Sequence, residues 1–238
     1  VNEPNKVGYV VEIDPLNPNS TPKKHTALGR FKHENAELVI SKDGKIVVYM
    51  GDDERGEYLY KYVSNESISE VKDKSTLLSD GNLFVAKFND NFTGEWLLLD
   101  TQTTGLSSKA EISIFTRLAA SKVGATTMDR PEWIASNPKK NEVCCCLTNN
   151  KNRGIKTNKG GDKVDVDKVN PRKNNKYGQI VRWKPRDNNH SSVYFEWDLF
   201  VVAGNPNVHD DNNRGSKNID KENMFNSPDG LKFDKYER

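Results

Sequence analysis

The feature that most constrains this chain is a series of short alternating segments separated by Asp-Gly turns. Residues 36–40 are followed by Ser41-Lys42-Asp43-Gly44 and then by residues 45–50, which is the pattern of a hairpin. Ser79-Asp80-Gly81-Asn82 leads into residues 83–88, and Gly94 leads into residues 95–99. Residues 7–13, 142–148, 178–184 and 192–202 read as further strands, and residues 57–63 as a half-exposed strand alternating aromatic with polar side chains. Such spacing predicts an all-β meander of the kind that builds sandwiches and propellers, and the strand-turn-strand unit returns loosely at blade-like intervals. One helix is expected, near 109–123, with Ile112, Phe115, Leu118 and Ala119 on one face. Residues 151–176 and 205–223 are polar and Asn-rich. The first reads as a solvated surface loop, and the second carries His209-Asp210-Asp211 as possible ligands.

Composition then excludes several classes. The 238 residues carry 36 Lys+Arg against 34 Asp+Glu, a balance unlike the concentrated positive charge of nucleic-acid binders. Mean hydropathy is -0.83, and no run approaches the roughly 18 apolar residues of a membrane span. Cys144, Cys145 and Cys146 are consecutive, so on a strand they point alternately to opposite faces. They are poor mutual disulfide partners, lack zinc-knuckle spacing, and read as small buried hydrophobes. The chain starts at Val1 and stops just after an apparent strand start at Leu231-Lys232-Phe233, which suggests an internal portion of a longer protein.

Four places carry chemistry. His33-Glu34-Asn35 offers nitrogen and oxygen ligands at a strand entrance, or a plain surface polar pair. Asp52-Asp53-Glu54 follows a strand directly; it could hold a hard cation such as Ca²⁺ or be a charged turn neutralised by Arg55. In Asp129-Arg130-Pro131-Glu132-Trp133 the proline should extend Arg130, so that Arg130 and Glu132 project together. That pair suits a phosphate beside a metal, or a structural salt bridge next to a packed Trp133. Pro228-Asp229-Gly230 is a turn on composition alone. A serine-hydrolase elbow, a phosphate loop and a dinucleotide fingerprint are all absent from the sequence.

Six motifs occur in one order: Val10-Val11-Glu12-Ile13-Asp14-Pro15, Thr26-Ala27-Leu28-Gly29-Arg30-Phe31-Lys32-His33-Glu34, Tyr49-Met50-Gly51-Asp52-Asp53-Glu54-Arg55, Asp129-Arg130-Pro131-Glu132-Trp133, Leu147-Thr148-Asn149-Asn150 and Phe225-Asn226-Ser227-Pro228-Asp229-Gly230. Together they resemble the PhoX-type alkaline phosphatases over nearly the whole chain. The resemblance implies a six-bladed β-propeller, of which 1–238 is a central multi-blade portion whose strand edges would stand open in isolation. It also implies iron (Fe³⁺) and calcium at one end, export to the periplasm or beyond, and a monomer hydrolysing small phosphate esters.

Carried over by motif, Glu34, Glu132 and Asp229 resemble the family's metal ligands, and Arg130 the arginine that contacts substrate phosphate. Asn149 would lie behind the ligands. The family's ligand cysteine falls upstream and another phosphate-binding arginine downstream, so neither role passes to Cys144–Cys146. A calcium-dependent propeller lactonase or esterase, and an inactive binding fragment, are the competing readings. A neutral lactone has no need of Arg130.

Overall fold

The computed structural model describes residues 3–237. Its two sheets are antiparallel throughout. A small ribbon pairs β1 (Val10–Glu12) with β2 (Lys23–His25). All the other strands join one sheet: β3 (Glu37–Ile40), β4 (Lys45–Gly51), β5 (Leu59–Ser67), β6 (Gly81–Phe88), β7 (Thr93–Leu98), β8 (Pro131–Ser136), β9 (Val143–Leu147), β10 (Gln179–Pro185) and β11 (Tyr194–Val202). Their order is β3-β4-β5-β6-β7-β11-β10-β9-β8, nine strands in all. The expected meander is therefore present, but as one continuous, curled sheet. Its end strands lie against each other, so the edges expected to stand open face one another. The Asn35 amide donates to Ile134 O (2.8 Å) and accepts from Ile134 N (3.1 Å), and the Glu37 carboxylate accepts from the Ser136 amide and hydroxyl. This is a barrel-like solution to the edge problem, with side chains closing the seam.

Strand alternation divides the apolar residues between two cores. Val47, Tyr49, Leu59, Trp96, Ile134, Cys145, Val181 and Trp183 point into the sheet's interior. Ile46, Val48, Met50, Tyr58, Tyr60 and Tyr62 point outward, where they are covered by Leu28, Ile112, Ala119 and Ala120. Residues 57–63 are therefore buried on both faces and not half exposed. The three cysteines alternate as expected: Cys145 enters the interior, while Cys144 and Cys146 pack with Ile180, Val201, Leu231 and Phe233. All three are free thiols, and burial pushes Cys144 and Cys146 up to about 12.

The expected helix is broken. After the short α1 (Thr101–Thr104) come α2 (Lys109–Ile114) and α3 (Thr116–Lys122), separated at Phe115 with φ −106° and ψ 46°. At the break the Thr116 hydroxyl donates to Ile112 O and accepts from Arg30 N, each at 3.0 Å. The kink takes Phe115 and Leu118 off the buried face that keeps Ile112 and Ala119; they are 45% and 47% exposed. Residues 151–176 also depart from the solvated-loop reading, since Arg153, Val164, Val169, Asn170, Arg172 and Asn175 are buried. Among the described residues no helix is long and apolar enough to cross a membrane.

Candidate metal centre

Register brings the acidic motifs together. Glu37 pairs with Tyr49, so the segment entering β3 and the segment leaving β4 lie at the same end of the sheet. Across that end Glu34 N donates to Gly51 O, and Asp53 N donates to Lys32 O. The start of β8 reaches the same place: a Cβ on Gly51 would stand 2.5 Å from Pro131 O and 2.8 Å from Glu132 O. Glu34, Asp53 and Glu132 then offer oxygens that all lie within 4.8 Å of one another.

The run after β4 splits three ways, because successive side chains face different partners. Asp52 is fully buried and takes the Arg117 guanidinium bidentately, Nε at 2.7 Å and Nη2 at 2.6 Å. Glu54 pairs with Lys32 at 2.9 Å and Lys159 at 3.1 Å, which hold its carboxyl at about 2 against the cost of burial. Asp53 alone turns to the cluster. Neither earlier account of the run fits as a whole: Arg55 neutralises none of the three, and only one joins a possible cation site. Strand alternation marks Asp52 and Asp53 as opposite in facing, but which one meets Glu34 depends on the long-range packing of α3 and β8.

Arg130 closes the site. Its Nε donates to Asp53 Oδ1 at 2.8 Å, its Nη2 to Asp53 Oδ2 at 3.1 Å, and Nη2 also reaches Glu132 Oε1 at 2.8 Å. The expected meeting of Arg130 and Glu132 is present, but not by the expected route. Arg130 has φ 54°, in the left-handed region, where an extended residue was anticipated. Trp133 is 39% exposed and is no packed support for the pair.

Glu132 is almost completely buried, and its pKa is raised, first by burial and then by Asp53, Asp229 and Glu34, against the attraction of Arg130. Glu34 is raised for the same reasons, with burial leading. Asp229 is exposed and outside the tightest group, yet near enough for its charge to act on Glu34, Glu132 and Arg130. Its turn is held by Ser227 N donating to Tyr177 O (2.7 Å) and by the Asn149 amide donating to Ser227 Oγ (3.3 Å). Asn149 thus touches the Asp229 turn through Ser227.

His33 is not part of the group. Its Nε2 bonds Gly29 O at 2.9 Å, its ring stacks on Phe31, and burial lowers it to about 4. His209 is likewise engaged elsewhere, its Nε2 bonding the Tyr177 hydroxyl at 2.8 Å. Three clustered carboxylates beside a guanidinium suit hard cations and an anionic substrate together.

Fold and site together define a class, an all-β protein with a carboxylate cluster and an arginine at one end of its main sheet. The chain belongs to the alkaline phosphatase PhoX family, whose profile matches residues 1–238. A solved structure, Pseudomonas fluorescens PhoX in complex with vanadate, a transition state analogue, is 50% identical and superposes with a TM-score of 0.89. The likeness covers 98% of this chain but 42% of that one. No curated protein sequence matches the chain significantly.

Proposed function

We propose that this chain is a portion of a metal-dependent alkaline phosphatase, to whose β architecture it contributes one curled nine-strand sheet. The enzyme would release inorganic phosphate from small organic esters, as a monomer in the periplasm or outside the cell. The observation that carries the reading is the convergence of Glu34, Asp53 and Glu132 with Arg130 from three distant segments. The vanadate in the Pseudomonas fluorescens structure supports it, since vanadate resembles a phosphoryl group in transfer.

The donor set fits the metals the family resemblance implies. Carboxylate oxygens are hard ligands suited to Ca²⁺ and Fe³⁺, and a cation would relieve the mutual repulsion that adds to burial in raising Glu34 and Glu132. Glu34, Asp53 and Glu132 would hold the cations with Asp229 at the rim. Bound there, cations would neutralise phosphate oxygens and lower the pKa of an attacking water. With Asp53 and Glu132 drawn to the cations, the Arg130 guanidinium they now hold would be released to bind the non-bridging oxygens and orient the ester for in-line attack. A neutral lactone would offer that guanidinium no anion in place of Asp53 and Glu132.

The test uses the protein at its full natural length, measuring kcat/KM for an aryl phosphate with iron and calcium quantified on the same samples. Arg130→Ala should cost roughly 30- to 1000-fold, the scale of one preorganised donor, with metal content nearly unchanged. Arg130→Lys should recover only part, since it keeps the charge without the fork. Glu34→Gln should instead lose metal and activity together. Wild-type turnover by Arg130→Ala at full metal occupancy would sink the phosphate role.

A further inference from the structure

Arg130 is a long side chain held in the left-handed region, at φ 54°. Outside glycine that conformation costs on the order of 1 kcal/mol, so the surroundings must fix it. On the carboxyl side Pro131 disfavours the right-handed helical alternative, and Thr148 N donates to Arg130 O at 3.2 Å. On the amino side stands Asp129, fully buried, with its backbone N–H and both carboxylate oxygens held. Its N donates to Asn170 Oδ1 at 3.1 Å, Oδ1 accepts from Arg153 Nε at 2.7 Å, and Oδ2 accepts from Asn175 Nδ2 at 2.9 Å.

Arg153 is itself 0% exposed and places three more donors on Thr127 Oγ1, Thr127 O and Asp165 O. Three of these partners, Arg153, Asn170 and Asn175, come from the irregular stretch 151–176. Buried ion pairs are weak evidence for stability as such, because desolvation offsets much of the attraction. This pair instead sets the backbone immediately before the residue whose fork faces the carboxylates.

We infer that Asp129 and Arg153 are positioning residues for Arg130. The buried face of 151–176 clamps Asp129 and so fixes the backbone torsion that aims the Arg130 guanidinium at the phosphate position. The inference rests on the phosphatase reading above and names what makes its arginine effective. Misplacing a binding group by about 1 Å can cost around 100-fold in rate.

Asp129→Asn keeps the volume and one acceptor but sets an amide against the Asn175 amide, so it loosens the clamp without emptying it. In the full-length protein, kcat/KM for an aryl phosphate and Ki for inorganic phosphate are measured on Asp129→Asn, Arg130→Ala and the double variant, per folded and metal-loaded molecule. Asp129→Asn should lose roughly 10- to 100-fold in kcat/KM. It should also weaken phosphate inhibition. The double variant should be no worse than Arg130→Ala alone, because a positioning residue has nothing left to position. Losses that multiply in the double variant would overturn the inference and leave Asp129 a structural residue. Should Asp129→Asn fail to fold, Arg153→Lys, which keeps the buried charge pair, enters the same cycle under the same criterion. No aryl phosphate turnover by the wild-type protein would overturn the phosphatase reading itself, whereas a fully active Arg130→Ala would overturn only the arginine's phosphate role, so the failures are distinguishable.

Discussion

Glu57 shows how one residue behind the site reports its electrostatics. It is 1% exposed, Arg117 Nε is 3.5 Å from its Oε2, and that guanidinium is already closed on Asp52. Burial first, with Asp52, Asp162 and Glu54 adding to it and Arg117 opposing, pushes its carboxyl up to about 8. The folded protein therefore binds a proton there that the unfolded chain releases near its ordinary value of 4.5. Stability must fall as pH rises through that interval, since the native state holds the extra proton. Glu57→Gln removes the titration and leaves Arg117 its Asp52 partner. Its stability relative to wild type, from urea unfolding, should be roughly constant below pH 4.5 and should rise by about 2 kcal/mol by pH 8.5, a discounted share of the shift at 1.36 kcal/mol per unit. A difference that stays flat with pH would show that Glu57 is ionised and satisfied in the native state. None of this was legible in the sequence, where Glu57 merely opens a strand; its burial and its Arg117 neighbour from α3 are products of long-range packing.

The β3–β4 hairpin was legible because its turn chemistry is local, and β6, β7 and β9 to β11 followed from alternation within a few residues. What could not be read was long-range. The α2–α3 break depends on Arg30 finding Thr116, and β8 begins at a proline after a left-handed residue, a poor strand signature. Glu34, Glu132, Asp229 and Arg130 were named from motif order, while Asp53 separates from Asp52 only once β4 and β8 pack together. Gly51 is the contact that allows this. An alanine there would press its Cβ onto the Pro131 and Glu132 carbonyls, which are backbone atoms and cannot swing away. Gly51→Ala should cost roughly 1 to 3 kcal/mol in urea unfolding, the usual range for overpacking. Bound metal should fall with it, because Asp53 and Glu132 flank the point of contact. Wild-type stability and metal content would mean that β4 and β8 have slack the structure does not show.

At the scale of the whole molecule, the sheet's two ends are joined by side chains in place of a backbone ladder, and the site sits directly on that seam. Glu34 precedes Asn35, and Glu132 lies two residues before Ile134, so the contacts that close the sheet also set the carboxylate spacing. Closure could not be inferred from strand count or alternation, because the bridging groups are ordinary polar residues at a strand entrance. The Asn35 amide serves Ile134 as a peptide group of a neighbouring strand would, donating to its carbonyl and accepting from its N–H. Ile134 is fully buried, so Asn35→Ala leaves a donor and an acceptor without partners where water has poor access. Each orphaned group costs about 1 to 3 kcal/mol, and partial hydration of the opened seam should bring the total toward the lower end, about 2 kcal/mol. The loss should also be local. Native-state hydrogen exchange should speed up at the Ile134 and Ser136 amides, while Tyr60 in β5 and Val181 in β10 keep their protection. Unchanged exchange at Ile134 would mean that the two edges hold together without Asn35; equal acceleration at all four amides would mean that the seam opens only when the entire sheet unfolds.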